Sequence, residues 1–289
     1  QAPGVRVLGP VGVSRPAPLW ATRFLGGSDL GMEWARRALV RYPKPPVSAN
    51  AALLAADQIL AVDRATASRA RRMGKAATLM MADGAHPVPS PSMRLGGRGD
   101  YFVWAGRMMP RKGCVAVIRA FARARDRLPG DIRLIVIGDG PERRAVETAT
   151  RELGLIRKVE LTGPLPRAEL LDTLSVARAL VFSSLRDTFG GIVLEAAERA
   201  TPTVWASHSG VDGLRDWLPR SAGWSRPAKS AQGFLHALSD GMIACSTASE
   251  PDWEVRSGAA YSFAVQHSWE RRGVELARLY ARLLNGGTT

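Results

Sequence analysis

The chain has 289 residues, with 40 Lys and Arg against 26 Asp and Glu, a formal charge of +14, and 46% apolar residues. That balance excludes a disordered polymer and suits two domains of ordinary size. No apolar run reaches the roughly 18 uncharged residues of a membrane span, since even Ala51 to Val62 is broken by Asp57.

Cys114 and Cys245 are the only cysteines, too few for a disulfide scaffold and without the paired spacing of a zinc site. A reducing, cytoplasmic setting is expected. The chain starts Gln1-Ala2-Pro3, with neither an initiator Met nor a secretory leader, as expected of a fragment. Its positive excess is nearly all arginine, which suits either a polyanionic partner or a plain solvated surface. Arg64, Arg71, Arg72 and Lys75 fall on or near one helical face, but no stacking aromatics are interleaved, so nucleic acid is set aside. Peripheral contact with an anionic membrane, at its inner surface, or with a phosphorylated acceptor is the functional option for that stripe.

In chain order, Val5 to Leu8 reads as a strand, and Asp29 to Val40, Ala51 to Leu60 and Thr66 to Gly74 as helices. His86 to Asp100 then packs Pro87, Pro89, Pro91, Gly96, Gly97 and Gly99 among small polar residues, the composition of a linker. Residues 1–96 are therefore expected to be a partial N-terminal domain with its linker, and residues 97–289 a second domain. There, short β-rich runs alternate with helical patterns: Tyr101 to Ala105, Ile132 to Ile137, Val159 to Thr162, Ala179 to Ser183 and Thr203 to Ala206. Such alternation predicts an α/β fold with a Rossmann-like parallel sheet. Ile118, Phe121 and Ala122, flanked by Val115 and Arg125, mark the buried stripe of a helix. A last helix, about residues 268–285, carries a similar stripe at Trp269, Leu276, Tyr280 and Leu283 and is expected to pack back on the N-terminal part.

Three clusters lie where these strands run into helices. Gly106-Arg107-Met108-Met109-Pro110-Arg111-Lys112-Gly113 places two cations, Arg107 and Lys112, at a strand's carboxyl end. Doubly wound sheets bind ligands there, and a diphosphate suits both a guanidinium fork and a point charge; an exposed basic turn is the plainer reading. Gly138-Asp139-Gly140-Pro141 resembles half a dinucleotide fingerprint, but Arg143 and Arg144 stand where a third glycine would, so a tight turn explains it equally. The third cluster runs from Ser183 to Ala196 and holds Asp187 and Glu195, separated by seven residues around Phe189-Gly190-Gly191. Asp187 would lie before a helix and Glu195 in its second turn, one near a sugar and one near a ribose diol, because a carboxylate accepts from adjacent hydroxyls. A helix cap and a surface acid are the alternative.

In this order the clusters resemble the C-terminal domain of retaining GT-B glycosyltransferases of glycosyltransferase family 4. The likeness runs from about Leu53 to Leu284 and is specific between Gly106 and Gly210. Val159-Glu160-Leu161-Thr162-Gly163, Pro202-Thr203-Val204, Ser209-Gly210 and a closing helix from Phe263 to Tyr280 add to it. It implies a GT-B architecture with an incomplete N-terminal domain. It also implies transfer of a sugar from a UDP- or GDP-sugar to a hydroxyl acceptor (a glycan, a lipid or a small molecule), with retention of configuration. Arg107 and Lys112 would grip the diphosphate, Glu195 the ribose, and Asp187 with the Phe189-Gly190-Gly191 backbone the sugar. Gly106 and Gly138 would belong to the donor cleft, and Pro164 and Leu165 would lie beside the base. No Asp-x-Asp pair is present, so no metal and no cofactor beyond the donor are expected. The sequence departs from the family at Asp187, usually Glu, at Ala200, usually Gly, and at Asp83-Gly84-Ala85-His86, often Asn-Gly-Val-Asp. The alternative function is a non-catalytic or truncated nucleotide-sugar-binding module that needs a missing acceptor domain.

Overall fold

In the computed structural model, which describes residues 4–12, 16–41, 54–87 and 99–285, the apolar runs pair into two parallel sheets. Strands β1 (Val7–Val11), β2 (Gln58–Ala61) and β3 (Ala76–Leu79) form a three-stranded sheet in chain order. The larger sheet has six strands: β4 (Tyr101–Ala105), β5 (Arg133–Ile137), β6 (Val159–Gly163), β7 (Ala179–Phe182), β8 (Thr203–Ser207) and β9 (Gly223–Pro227). Their order is β6-β5-β4-β7-β8-β9, every pair parallel. The chain therefore builds outward from β4 to β6, returns to the other side of β4, and builds outward again. Between β4 and β7 the winding reverses, the point at which doubly wound sheets have their ligand crevice, beyond the carboxyl ends of the strands.

Period-two alternation divides the core of the large sheet. Phe102, Trp104, Leu134, Val136, Ala179 and Val181 face one buried layer, whereas Val103, Ile135, Ile137, Leu180, Phe182 and Trp205 face the other. The first layer meets helices α3 (Cys114–Ala124), α4 (Arg143–Glu152) and α8 (Ala231–Thr247). The second meets α5 (Arg167–Val176), α6 (Gly191–Glu198), α7 (Asp212–Trp217) and α9 (Glu250–Gln266). Burial on both faces is why these strands read as continuous apolar runs.

The N-terminal expectations need correction. Ala51 to Leu60 is not helical to its end: residues 51–53 lie outside the described residues, 54–55 are helical, and Gln58–Ala61 is a strand with all four residues buried. A short apolar run carries no decisive period, and parallel pairing on both sides of β2 decides it. Helix α1 spans Gly27–Arg41 and α2 Arg64–Arg72, close to the readings from periodicity. Most of the Pro- and Gly-rich stretch lies outside the described residues.

The closing run from Phe263 to Tyr280 is two helices, because α9 stops at Gln266 and Ser268 caps a new one, α10 (Trp269–Leu284), by accepting from Arg271 N. Leu279 of α10 is buried with Leu60 and Met80, while Leu276, Leu283 and Val7 flank that contact. The last helix thus lies against the three-stranded sheet. No described helix is long and apolar enough to cross a membrane.

Capping of α2 gives a direct stability test. Buried Asp63 accepts from Thr66 N at 2.7 Å, satisfying one of the amides a helix start leaves open. Asp63→Ala is expected to destabilise the chain by about 1 to 2 kcal/mol, read from the urea midpoint. An unchanged midpoint would count against the cap.

Candidate functional site

The two loops at the crevice are stitched together before any side chain reaches it. Trp104 Nε1 donates to Ser183 Oγ at 2.9 Å, Ser183 Oγ donates to the Lys112 carbonyl at 2.8 Å, and Leu185 N donates to Arg111 O at 2.8 Å. A short turn, Pro110–Lys112, ends at Gly113, and α3 begins. The stitching presents Lys112 to the opposite loop, where its Nζ lies 2.5 Å from Asp187 Oδ2. Asp187 also accepts from Ser184 Oγ at 3.1 Å and from Thr188 N at 3.0 Å, and its own N–H donates to Gly210 O at 2.9 Å. Its carboxylate is therefore fixed by three donors, one of them charged.

The sequence reading gave Lys112 and Asp187 separate partners, a phosphate and a sugar; the structure brings them into one ion pair. Asp187 caps no helix. The N-cap of α6 is Gly190, with φ of 94° and no side-chain bond. A Cβ there would stand 2.5 Å from the Phe182 ring, so the sharp entry into α6 requires glycine. Phe189 is buried against Phe263 at 6.1 Å between ring centroids, and only its backbone is offered to the crevice. Arg107 is exposed on the loop leaving β4. Gly106 N donates to Ile137 O, and Gly138 N to Gly163 O, so the loops after β4, β5 and β6 lie in contact. Gly138, read as a donor contact, makes that approach possible: a Cβ on it would lie 2.0 Å from Gly106 O.

Glu195 lies further along α6 beside a cavity of about 540 Å³ lined by Asp83, Gly84, Arg167, Gly191 and Trp269 among others. Burial raises its pKa, and the nearby Arg167 opposes that shift. Arg167 Nε lies 3.3 Å from Glu195 Oε1, and Arg167 Nη2 lies 3.3 Å from Glu198 Oε2. Pro164 and Leu165 sit in the turn between β6 and α5, with Pro166 between them and Arg167, Pro164 exposed and Leu165 half-buried.

Arg167 and Glu198 were missed. The available signal was positional: Arg167 follows the turn after β6 as Arg107 follows β4. Buried Glu198 accepts from His86 N at 2.6 Å. His208 is buried and held near a pKa of about 4 by desolvation. As a neutral ring it donates from Nε2 to Ser184 O and accepts from Gly210 N at Nδ1, both 3.2 Å, bracing the Asp187 loop. Among the described residues, no three His, Cys, Asp or Glu side chains converge as metal ligands.

Residues 92–217 match the family described as glycosyl transferases group 1, a stretch that contains both crevice loops and the Asp187–Glu195 pair. Over 118 residues, 41% of this chain and 30% of the relative, the sequence is 32% identical to the 2-deoxystreptamine glucosyltransferase of Streptomyces kanamyceticus. The pneumococcal O-GlcNAc transferase GtfA, solved with UDP and GlcNAc, aligns over 79% of this chain and 46% of its own, with a TM-score of 0.65 and 14% identity. Sucrose-phosphate synthase from Thermosynechococcus elongatus aligns over 93% and 67%, with a TM-score of 0.65 and 19% identity. The fold is the parallel-sheet α/β arrangement of GT-B glycosyltransferases. The chain spans 30% to 42% of the length of the curated relatives it matches first.

Proposed function

We propose that the chain is the donor-binding part of a retaining glycosyltransferase of family 4, moving a sugar from a UDP- or GDP-sugar to a hydroxyl acceptor. One observation carries this reading: an ammonium and a carboxylate 2.5 Å apart at the winding reversal of a doubly wound sheet, beside a glycine-entered helix that no side chain caps. Departure of a nucleoside diphosphate builds negative charge on its β-phosphate. Lys112, Arg107 and the first amides of α6 supply preorganised positive potential for that charge, which stabilises the transition state more than the ground state. These two cations take the part a divalent ion would otherwise play, so transfer proceeds in EDTA. Retention follows from the family resemblance, by attack on the face the diphosphate leaves, with the leaving phosphate helping to take the acceptor proton. A cytoplasmic location agrees with the cysteine usage, and the arginine excess supports contact with an anionic inner membrane surface.

The two carboxylates separate by ligand. Glu195→Gln is expected to weaken binding of bare UDP about tenfold, because the amide replaces a charged acceptor for the ribose diol. Asp187→Asn leaves UDP binding within about twofold and lowers affinity or turnover for the sugar-bearing donor. Calorimetry with UDP, GDP and the corresponding sugar nucleotides, in EDTA, measures both. If both variants bind bare nucleotide and sugar nucleotide as the parent does, the donor-site reading is wrong. Donor binding with neither transfer nor hydrolysis would identify a binding module instead.

A further inference from the structure

Away from the crevice, the carboxyl end of β3 meets α10 and Trp217 around a second cavity of about 640 Å³. It shares no lining residue with the cavity beside Glu195. Leu79, Met80, Leu279 and the Trp217 ring give it an apolar floor, and Arg272, Arg278 and Arg282 give it a cationic wall. Arg272 is 5% exposed, lies over the Trp217 ring at 5.5 Å, and has its Nη1 3.0 Å from Glu275 Oε2. Its Nη2 contacts His267 Nδ1 at 2.5 Å, and its buried Nε has no hydrogen-bond partner.

Arg278 and Arg282 are exposed, four residues apart on one helical face, and neither forms an ion pair among the described residues. Glu275 is the one carboxylate among the described lining residues. His267 adds no charge at neutral pH, since burial and the adjacent Arg272 and Arg271 hold its pKa near about 4. Three guanidinium groups against one carboxylate leave an excess of two positive charges over an apolar floor. A phosphate monoester carries about −1.5 to −2 at neutral pH, and guanidinium forks match its oxygens in pairs.

We propose that this cavity is a second anion site, separate from the donor crevice, that takes a phosphate monoester through Arg278 and Arg282 while its organic part lies on Trp217 and Leu279. Arg272 braces that wall from behind and contributes its charge. The assignment stands on the cavity alone and is independent of the sugar-transfer reading. The ester could be a free metabolite or a lipid headgroup, and the two sources are separable.

The test titrates phenyl phosphate, phenol and inorganic phosphate calorimetrically into the full chain, and measures co-sedimentation with phosphatidylcholine vesicles with and without phosphatidic acid. Phenyl phosphate should bind more tightly than phenol or inorganic phosphate, because only it reaches both floor and wall. The Arg278→Ala/Arg282→Ala double variant should weaken it about tenfold or more, whereas Lys112→Ala should leave it within about twofold. Both altered arginines are exposed, so the double variant keeps its fold, which a thermal melt checks. Binding of phenyl phosphate without vesicle capture assigns a free ester, and arginine-dependent capture by phosphatidic acid assigns a headgroup. Equal affinity of double variant and parent overturns the site. So does loss on Lys112→Ala instead, or failure of the parent to bind either probe.

Discussion

Lys112→Ala is expected to lower sugar transfer by about 10²-fold or more while weakening UDP binding by only about 1.5 kcal/mol. The disparity follows from the ion pair. Without a ligand, Nζ is already engaged by Asp187 at 2.5 Å, so a ground-state phosphate gains less from it than from an unpaired amine. An ammonium has three donors, so on the proposed donor-site reading Lys112 would keep Asp187 and still reach the leaving diphosphate as charge develops there. The loss therefore appears mainly in kcat, the signature of an interaction strengthened in the transition state. Removing Lys112 also strands a carboxylate whose side chain is 14% exposed, although Ser184 Oγ and Thr188 N still hold it. Steady-state kinetics beside UDP calorimetry measures both effects, and a variant with parental kcat would dismiss Lys112 from the chemistry.

Gly138→Ala is expected to cost about 3 to 5 kcal/mol and to displace the loop bearing Arg107. Two penalties combine: a φ of 121°, and a Cβ 2.0 Å from the backbone oxygen of Gly106, which cannot move without breaking the Gly106 N to Ile137 O bond. Gly130 is the milder reference, with a φ of 65° in the left-handed region that L residues enter at modest cost and nothing within 4 Å of an added Cβ. Gly130→Ala is expected to cost only about 1 kcal/mol. Urea unfolding of the pair tests the difference, and equal losses would mean that the close approach of the two loops carries no energy.

Strands β4, β5, β7 and β8 were legible because burial on both faces demands a near-continuous apolar run, and that demand is local. Of the edge strands, β6 and part of β1 were read from short apolar stretches, whereas β3 and β9 were not. β3 is partly exposed, and β9, Gly-Trp-Ser-Arg-Pro, has neither alternation nor an apolar run, its pairing with β8 being fixed by tertiary contact. The crevice loops were visible through glycines and charges at strand ends, since such loops need close backbone approach and a cation together. What joins them was not visible. Lys112 and Asp187 are 75 residues apart, and Arg167 and Glu195 28 apart, and no periodicity encodes a meeting between loops from different strands. Glu198 was hidden for another reason. At the end of an amphipathic helix an acid reads as solvated, and only the path of residues 83–86 shows that it is buried.

That path ties two parts of the molecule to one guanidinium. Ala85 N donates to His267 O and Trp269 N to Ala85 O, which laces the segment leaving the small sheet to the start of α10. The next residue, His86, donates its N–H to Glu198, and Glu198 shares Arg167 with Glu195. Any swing of the small sheet with α10 must therefore pull on Glu198 or drag α6 along. A ligand that draws Glu195 away from Arg167 frees that guanidinium for Glu198 and tightens the same tether. If Glu195 holds a ligand as proposed, this tether would link its occupancy to the orientation of the small sheet, and such linkage runs equally in both directions: a change that locked the sheet would shift affinity at Glu195 by the same factor by which filling that site locked the sheet.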